Sequence, residues 1–297
     1  METILYILEI ILHSFVHAVK DSAPLILFLF LAYLLMELLE HKGGARAEGL
    51  IRRAGNAGPL VGALLGAVPQ CGFAAAASGF YAARILSLGT LYAVFLSSSD
   101  EMLAVMIASG TAIPTILKIL ATKVVLGIIL GFSTDLFLRF VLKRPILTAT
   151  ENDICETEGC HCENGIFRSA FYHTLKVFLF IILVSFGLNI VIELVGEDVI
   201  GSFLSSIPVV GPLVSALVGL IPNCASSVIL TQLYLEGTIT AGSMLAGLLA
   251  GSGVGILVLF RSNKNLRENL VITAVLFAFG ATAGILGDLL NIGAFFL

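Results

Sequence analysis

The chain has 297 residues, of which 58% are apolar and only 12% are charged, and its mean hydropathy is +1.04. A soluble domain of this length carries about twice that share of charge. The composition therefore excludes an ordinary soluble protein, and the net charge of −4 says little because charges in a membrane protein matter by position. We predict an all-α, multi-pass membrane protein with lipid as its surroundings and no nucleic acid as partner.

Six apolar stretches reach the roughly 20 residues that a helix needs to cross a bilayer core. They are Val16–Glu40, Leu88–Ser109, Ile116–Leu142, Tyr172–Val195, Ala241–Phe260 and Leu270–Leu290. The residues before the first span form an amphipathic pattern. The same holds at the start of the fourth span, where Arg168, Tyr172 and Lys176 share one helical face. An interfacial helix is predicted before both spans. Because Glu2 stands where a basic region would begin a secretory leader, no cleavable signal is expected.

The second element of the chain is a pair of short arms separated by a proline. The arms, Asn56–Val68 and Gly72–Arg84, hold about 13 residues each, or about 20 Å of helix. This is too short for roughly 30 Å of hydrocarbon, and Pro69 cannot continue a helix. The pattern predicts a hairpin that enters the membrane, turns near its middle and returns to the same side.

The third element, Leu88–Ser109, contains a polar run at its centre, Ser97-Ser98-Ser99-Asp100-Glu101. A carboxylate at the centre of a membrane helix costs at least about 2.5–3.5 kcal/mol, so this pair is expected to meet a cation, a proton or a polar cavity. The alternative is that the segment is broken and that Asp100 and Glu101 lie in a shallow vestibule.

The fourth element contains Lys123 near its middle, followed by a pair of glycines and an aspartate. Lys123 is predicted to serve as a counter-ion to Asp100 or Glu101, and the alternative is that it extends along the helix to the interface. Gly127 and Gly131, like Gly280 and Gly284 later in the chain, predict close helix packing. Asp135 and Asp288 follow about one turn later, and we expect them to cap a helix end rather than bind an ion.

The central loop holds three of the five cysteines and one histidine: Cys155, Cys160, His161 and Cys162. Thiolates and imidazole are ligands for soft metals, which makes this loop a candidate metal site. The alternative is a loop whose thiols bind nothing. An odd number of cysteines, two of them in apolar segments, argues against a disulfide framework.

The second half of the chain repeats the first. The segment Gly58–Cys71 recurs 153 positions later as Gly211–Cys224, with nine of fourteen residues identical. This divides the chain into a first repeat (1–142), a cytoplasmic Cys/His loop (143–167) and a second repeat (168–297). If each hairpin returns to its own side, a repeat crosses the membrane an odd number of times. The two repeats are then inverted relative to each other, with the N-terminus outside.

The distribution of basic residues supports this topology. Under the hairpin interpretation every basic loop falls on one side, and the positive-inside rule makes that side cytoplasmic. The opposite loops contain Glu197, Asp198 and Glu236 but no lysine or arginine. The residues of the basic side are Lys42, Arg46, Arg52, Arg53, Arg84, Lys143, Arg144, Arg261, Lys264 and Arg267.

The two hairpin tips, Pro69-Gln70-Cys71-Gly72 and Pro222-Asn223-Cys224-Ala225, are polar and would meet near the centre of such a structure. Inverted repeats with broken helices at the midplane are typical of secondary transporters. We therefore predict a substrate site of Gln70, Cys71, Ser99, Asp100, Glu101, Asn223, Cys224 and Ser252, with Cys71, Cys224, Asp100 and Glu101 as metal ligands. The alternative is that the tips are helix kinks sealed by their neighbours. Oxygen donors suit Mn²⁺ and similar ions, while the thiols favour thiophilic ions.

At these residues the chain resembles the ten-transmembrane heavy-metal exporter family, whose members are labelled arsenic efflux proteins or manganese transporters. The resemblance rests on Pro69-Gln70-Cys71-Gly72, Pro222-Asn223-Cys224, the Cys155–Cys162 loop and His173-Thr174, and it covers nearly the whole chain. It implies ten membrane segments and the export of a metal or metalloid.

The functional expectation is a secondary-active exporter of a heavy-metal ion in the inner membrane of a bacterial or archaeal cell. No nucleotide-binding motif is present, so a proton or another ion gradient is expected to drive transport and no cofactor is expected. Three alternatives remain: a transporter of an organic anion bound together with a cation, a channel, and an intramembrane enzyme. The enzyme is disfavoured because no nucleophile or base with an orienting partner is recognisable. A homodimer is left open.

Overall fold

The computed structural model describes residues 57–99, 101–140, 166–195 and 210–296, together with Val16, Ile26, Leu27, Phe30, Leu31 and Leu34. Within these ranges the chain is all-helical, without strands, as expected. The first half contains α1 (Gly58–Gly66), α2 (Cys71–Ala82), α3 (Leu88–Ser97), α4 (Met102–Ala108) and α5 (Ile113–Phe140). After α6 (Ile166–Val195), the second half contains α7 (Val210–Gly219), α8 (Cys224–Leu235), α9 (Ala241–Ala250), α10 (Gly255–Ser262), α11 (Leu266–Leu289) and α12 (Ile292–Phe296).

Four helical stretches in the described part of the chain are long and apolar enough to cross a membrane: Leu88–Ala108, Ile113–Phe140, Ala241–Ser262 and Leu266–Leu289. They support a multi-pass membrane protein. The helix α6, with 30 residues, is continuous from Ile166. The amphipathic stretch before the span Tyr172–Val195 therefore continues into the apolar one as a single helix, and its predicted place at the membrane interface stays a prediction.

Two of the stretches predicted as spans are interrupted, and for Leu88–Ser109 this is the alternative that the sequence left open. The first breaks between α3 and α4, around Ser98 and Ser99, and the second breaks between α9 and α10, at residues 251–254. The breaks come at the serine run of the first half and at Gly251-Ser252-Gly253 of the second, where Gly253 has a φ of +51°. Glycine adopts this left-handed conformation without steric cost, so the sequence permits the helix to end there.

Local sequence explains where several helices begin. Ser87 precedes α3 and accepts a hydrogen bond from the backbone N–H of Thr90, and Thr240 does the same for Ser243 at the start of α9. Asn265 caps α11 by accepting from the N–H of Glu268. These side chains satisfy backbone donors that a helix N-terminus leaves without an intrahelical partner. The serine and threonine caps lie at equivalent positions of the sequence repeat.

The interior of the molecule is formed by the interrupted helices. The stretches Leu88–Ala108 and Ala241–Ser262 are mostly buried (65% and 83%), whereas α5 and α11 are buried for only 22% and 33%. The outer helices pack against the inner ones through glycine. A Cβ atom at Gly131 would lie 2.6 Å from the carbonyl oxygen of Gly89, and one at Gly284 would lie 2.5 Å from that of Gly242. The predicted role of both glycine pairs in close helix packing is confirmed.

The short arms α1 and α2 form a hairpin whose arms diverge. The N-terminal residue of α1, Gly58, has no room for a side chain because it lies on Thr90, in the first turn of α3. Since α3 begins only six residues after α2 ends at Ala82, both arms have their outer ends at the same end of the molecule. An apolar groove of about 280 Å³ lies between the arms, with α3 as its floor.

That end of the molecule is rich in basic residues. Arg84 follows α2, and its guanidinium pairs with Glu268 at the start of α11, with Nη1 and Oε1 2.7 Å apart. Arg261 lies in the last turn of α10, Lys264 in the connection that follows, and Arg267 in the first turn of α11 next to Glu268. We call this the basic end. The prediction that the loops at Arg84 and at Arg261–Arg267 fall on the same side is confirmed by this ion pair.

Candidate functional site

Each hairpin turns tightly around its proline. The backbone N–H of Gln70 donates to the carbonyl of Val68 over 2.7 Å, and that of Asn223 donates to Ile221 over the same distance. A hydrogen bond across a single intervening residue defines a γ-turn. Proline suits the central position of such a turn because its φ is fixed near −65° and it has no N–H to leave unpaired.

The second arm of each hairpin begins at a cysteine, and the two cysteines meet. The Sγ atoms of Cys71 and Cys224 lie 3.4 Å apart, and both side chains are buried. Both residues start a helix, at the end where the partial positive charge of the helix dipole lies. The predicted convergence of the two turns is confirmed by this distance.

The break between α3 and α4 lies beside the first hairpin tip. The Ser99 hydroxyl, which is 1% exposed, donates to the carbonyl of Ala67 over 2.8 Å. Ala67 is the residue that ends α1, so this bond satisfies one of the carbonyls that a helix C-terminus leaves unpaired. The break and the tip therefore form one polar unit in the molecule.

Lys123 extends from α5 into this unit. Its side chain is completely buried, and its Nζ donates to the carbonyl of Ser98, the residue that ends α3. The alternative in which Lys123 reaches the membrane interface is wrong, because Lys123 lies on the inward stripe of α5 that also carries Gly127, Gly131 and Asp135. Its predicted role as a counter-ion stays a prediction, since Asp100 lies outside the described residues.

A small polar cavity lies between Lys123, the two breaks and the second hairpin tip. Its volume of about 10 Å³ has room for the centre of one water molecule. Hydroxyl, amide and ammonium groups line it together with glycine backbone and one leucine. The lining residues are Ser98, Ser99, Lys123, Asn223, Ser226, Ser227, Gly247, Leu248, Gly251 and Gly253.

Two hydroxyl groups next to this region have no hydrogen-bond partner among the described residues. They are Oγ of Ser252, in the second break, and Oγ of Ser215, on α7; the residues are 1% and 0% exposed. A buried polar group without a partner costs about 1–3 kcal/mol. Ser252 was predicted as a site residue, and its orphaned hydroxyl is consistent with a bound water or ion.

The structure brings together most of the predicted substrate site. Cys71, Cys224, Ser99 and Asn223 lie at the tips and the first break, and Gln70 occupies the position before α2, partly exposed. Glu101 immediately precedes α4 and is partly buried. Within the described ranges, no cluster of three or more His, Cys, Asp or Glu side chains could hold a metal ion. Asp100 and the loop residues Cys155, Cys160, His161 and Cys162 lie outside those ranges.

Asp135 and Asp288 have matching structural roles. Asp135 accepts from the N–H of Gly89 over 2.8 Å and from the hydroxyl of Ser87 over 2.7 Å. Asp288 accepts from Gly242 over 2.9 Å and from Thr240 over 2.7 Å. Each aspartate thus caps the N-terminus of a neighbouring helix, as expected.

Several residues of the cavity were missed by sequence reasoning. Ser226 and Ser227 were recognisable from their position in the first turn after Cys224, where side chains lie next to the hairpin tip. Ser98 contributes its backbone carbonyl, and the position of a backbone group cannot be predicted from the type of residue that carries it. Comparisons with protein-family models, with curated proteins and with solved structures found no match to this chain.

Proposed function

We propose that this chain is a secondary-active transporter that exports a heavy-metal ion from the cytosol. The observation that carries the proposal is the meeting of Cys71 and Cys224, 3.4 Å apart, at two helix starts beside a buried polar cavity. Two thiols held together by separate hairpins offer a joint ligand pair. Such a pair forms and separates as the hairpins move, which is what a carrier needs to bind and release its substrate.

The proposed architecture is a pair of inverted repeats. Contacts of α11 support it. Near the start of α11, Glu268 pairs with Arg84, just before α3; near its other end, Asp288 caps the first turn of α9 at Gly242. The helices α3 and α9 therefore begin at opposite ends of α11 and run in opposite directions. The resemblance to a ten-transmembrane exporter family fits the same architecture.

The proposed substrate is a divalent transition metal such as Mn²⁺, or an arsenite-type metalloid. Cys71 and Cys224 supply soft sulfur ligands, and the carboxylates of Glu101 and Asp100 with the amide oxygens of Gln70 and Asn223 supply harder ones. A mixed donor set of this kind suits borderline ions. A site with charged ligands in a membrane interior requires a cation or a proton to compensate them.

Alternating access would follow from the broken helices. The first tip is tied to the break after α3 through Ser99 and Ala67, and the second tip lines the same cavity through Asn223. A movement of either hairpin would therefore alter the ligand set directly. Because the sequence has no nucleotide-binding motif, we propose coupling to a proton or another ion, and transport rather than catalysis.

A second candidate is the transport of an organic anion bound together with a cation. The observation that favours it is Lys123, whose buried ammonium group lines the cavity with the hydroxyls of Ser226 and Ser227. The N-terminus of α8 lies at the same place, and a helix N-terminus favours anions.

Flux measurements on purified protein in liposomes test both candidates. We expect accumulation of Mn²⁺ or arsenite that depends on an imposed ion gradient, and a large loss of flux in Cys71→Ser and Cys224→Ser. Ser133→Ala, on the exposed face of α5, is the matched control. Flux of neither substrate, with uptake of a dicarboxylate instead, would favour the anion transporter. Full metal flux in both cysteine variants would remove the thiols from the mechanism.

A further inference from the structure

A hydrogen-bonded cluster at the basic end joins the first hairpin to the second half of the chain. The guanidinium of Arg84 makes two parallel bonds to the carboxylate of Glu268, from Nη1 to Oε1 over 2.7 Å and from Nη2 to Oε2 over 2.8 Å. The Tyr81 hydroxyl donates to the same carboxylate over 2.5 Å. This two-bond geometry is the strongest form of a charge-assisted pair.

The carboxylate of Glu268 is also held in place by residues of the second half of the chain. Asn263 donates to Glu268 Oε2 over 3.4 Å and to Oδ1 of Asn269 over 2.8 Å, and Asn269 returns a bond to the carbonyl of Asn263. Asn269 is completely buried. The acceptor is thus fixed to α10 and α11, whereas the donors Tyr81 and Arg84 belong to α2 and the turn after it. Hydrogen bonding to Glu268 also raises the pKa of Arg84 above its ordinary range, so the guanidinium stays charged.

The equivalent positions of the other half cannot form this pair. Tyr234 matches Tyr81, but Gly237 stands at the position of Arg84 and Thr115 at that of Glu268. Gly237 keeps the left-handed backbone of its counterpart, with a φ of +74° against +60° for Arg84. Thr115 instead donates to the carbonyl of Phe296. The same turn is therefore present in both halves, and the charged pair only in one.

The helix α2 connects this cluster to the cysteine pair. It begins at Cys71 and ends at Ala82, about 18 Å of helix, with Tyr81 in its last turn. Between these points it packs on α10, where the Ser78 hydroxyl donates to the carbonyl of Gly255 over 2.7 Å. A Cβ at Gly255 would lie 2.9 Å from the Cβ of Ala74, so the two helices are in close contact. A displacement of α2 at the basic end therefore also displaces Cys71 at its other end.

We propose that Arg84 and Glu268 form a one-sided latch that holds α2 against α11 and closes the basic end of the molecule. The role of the latch in a transport cycle rests on the proposed function. In that cycle the latch opens when the basic end, on the cytosolic side, admits the ion. At the equivalent positions of the other half, Gly237 and Thr115 provide no charged pair. The latch therefore gives the opening of the basic end an energy and a salt sensitivity that this turn of the other half does not share.

Chemical labelling of the cysteine pair tests the latch without measuring transport. The protein carries Cys155→Ser, Cys160→Ser and Cys162→Ser, so Cys71 and Cys224 are the remaining thiols, and a membrane-impermeant maleimide is offered to each face of membrane vesicles in turn. We expect Glu268→Gln and Arg84→Gln each to increase the labelling rate several-fold from the basic face only. Glu236→Gln, an exposed acid at the end of α8, is the control and should leave the rate unchanged.

The charge exchange Arg84→Glu with Glu268→Arg should restore slow labelling, which a loss of fold would not do. If one single variant fails to fold, as judged by size-exclusion chromatography, the other and the exchange still decide the matter. Unchanged labelling in the folded single variants, or an exchange variant that labels as fast as they do, overturns the latch. Faster labelling in a protein that moves neither metal nor arsenite would retain the latch and reject the proposed function.

Discussion

Cys71 and Cys224 are separated by 153 positions in the chain, and their Sγ atoms lie 3.4 Å apart in a buried environment. A disulfide has a sulfur–sulfur distance of about 2.05 Å, so a modest side-chain movement would bring the pair into bonding distance. The contact therefore gives a direct chemical test of the arrangement of the two hairpins.

Mild oxidation should link these residues. In a protein whose Cys155, Cys160 and Cys162 are replaced by serine, treatment with copper phenanthroline is expected to join Cys71 to Cys224. After protease cleavage of a site inserted in the 143–165 segment, the two halves should migrate together without reductant and separately with it. Cys71→Ser is the control that should abolish the link. Halves that separate fully under oxidising conditions would contradict the contact between the tips.

Replacement of a packing glycine should destabilise the protein. In Gly131→Ala the new Cβ would lie 2.6 Å from the carbonyl oxygen of Gly89, so α3 and α5 must move apart. We expect a loss of about 1–3 kcal/mol, the usual cost of overpacking, seen as a lower melting temperature in detergent. In Gly187→Ala, on the exposed side of α6, the new Cβ meets no atom of the described residues within 4 Å, and because alanine favours helix the variant should be neutral or stabilising. Equal melting temperatures for the two variants would contradict the observed packing.

The two aspartate caps should differ in their contribution to stability. Asp135 is 6% exposed, whereas Asp288 is partly exposed, although their hydrogen bonds are equivalent. Hydrogen bonds to a charged group contribute about 1.5–3 kcal/mol, and the loss is larger where the donors left behind cannot reach water. Asp135→Ala is therefore expected to lower the melting temperature more than Asp288→Ala. The reverse order of melting temperatures would show that burial does not determine how much each cap contributes to stability.

Sequence reasoning predicted the elements of the site whose signals are local. Pro69 and Pro222 cannot continue a helix, and a repeat of the proline-cysteine pattern identified both turns. The glycine pairs predicted the contact faces of α5 and α11. Lys123 lies one further four-residue step before Gly127, on the same stripe of α5. The sequence left an interfacial Lys123 open as the alternative, and the complete burial of the side chain in the structure excludes it.

Contacts between distant elements could not be predicted in this way. Arg84 and Glu268 are 184 positions apart, and nothing in either neighbourhood identifies the other as its partner. The break after Ala250 was not predicted and the break after Ser97 was only an alternative, because the mean hydropathy of both stretches is that of an ordinary span. A helix break inside an apolar segment is stabilised by tertiary partners, such as Ala67 for Ser99, and these become known only with the fold.

Lys123 provides the sharpest test of the cavity as a functional site. Its ammonium group is completely buried and donates to the carbonyl of Ser98, whereas Lys118, five residues earlier on α5, is only partly buried and contacts the ring of Phe295. Ionisable groups inside a membrane are costly and are typically retained for function. Lys123→Met keeps a similar volume and removes the charge, so the variant should fold. We expect it to lose at least about tenfold in transport rate, equivalent to about 1.4 kcal/mol, with Lys118→Met close to the unmodified protein. A Lys123→Met protein that transports at the normal rate would show that the buried charge serves folding alone.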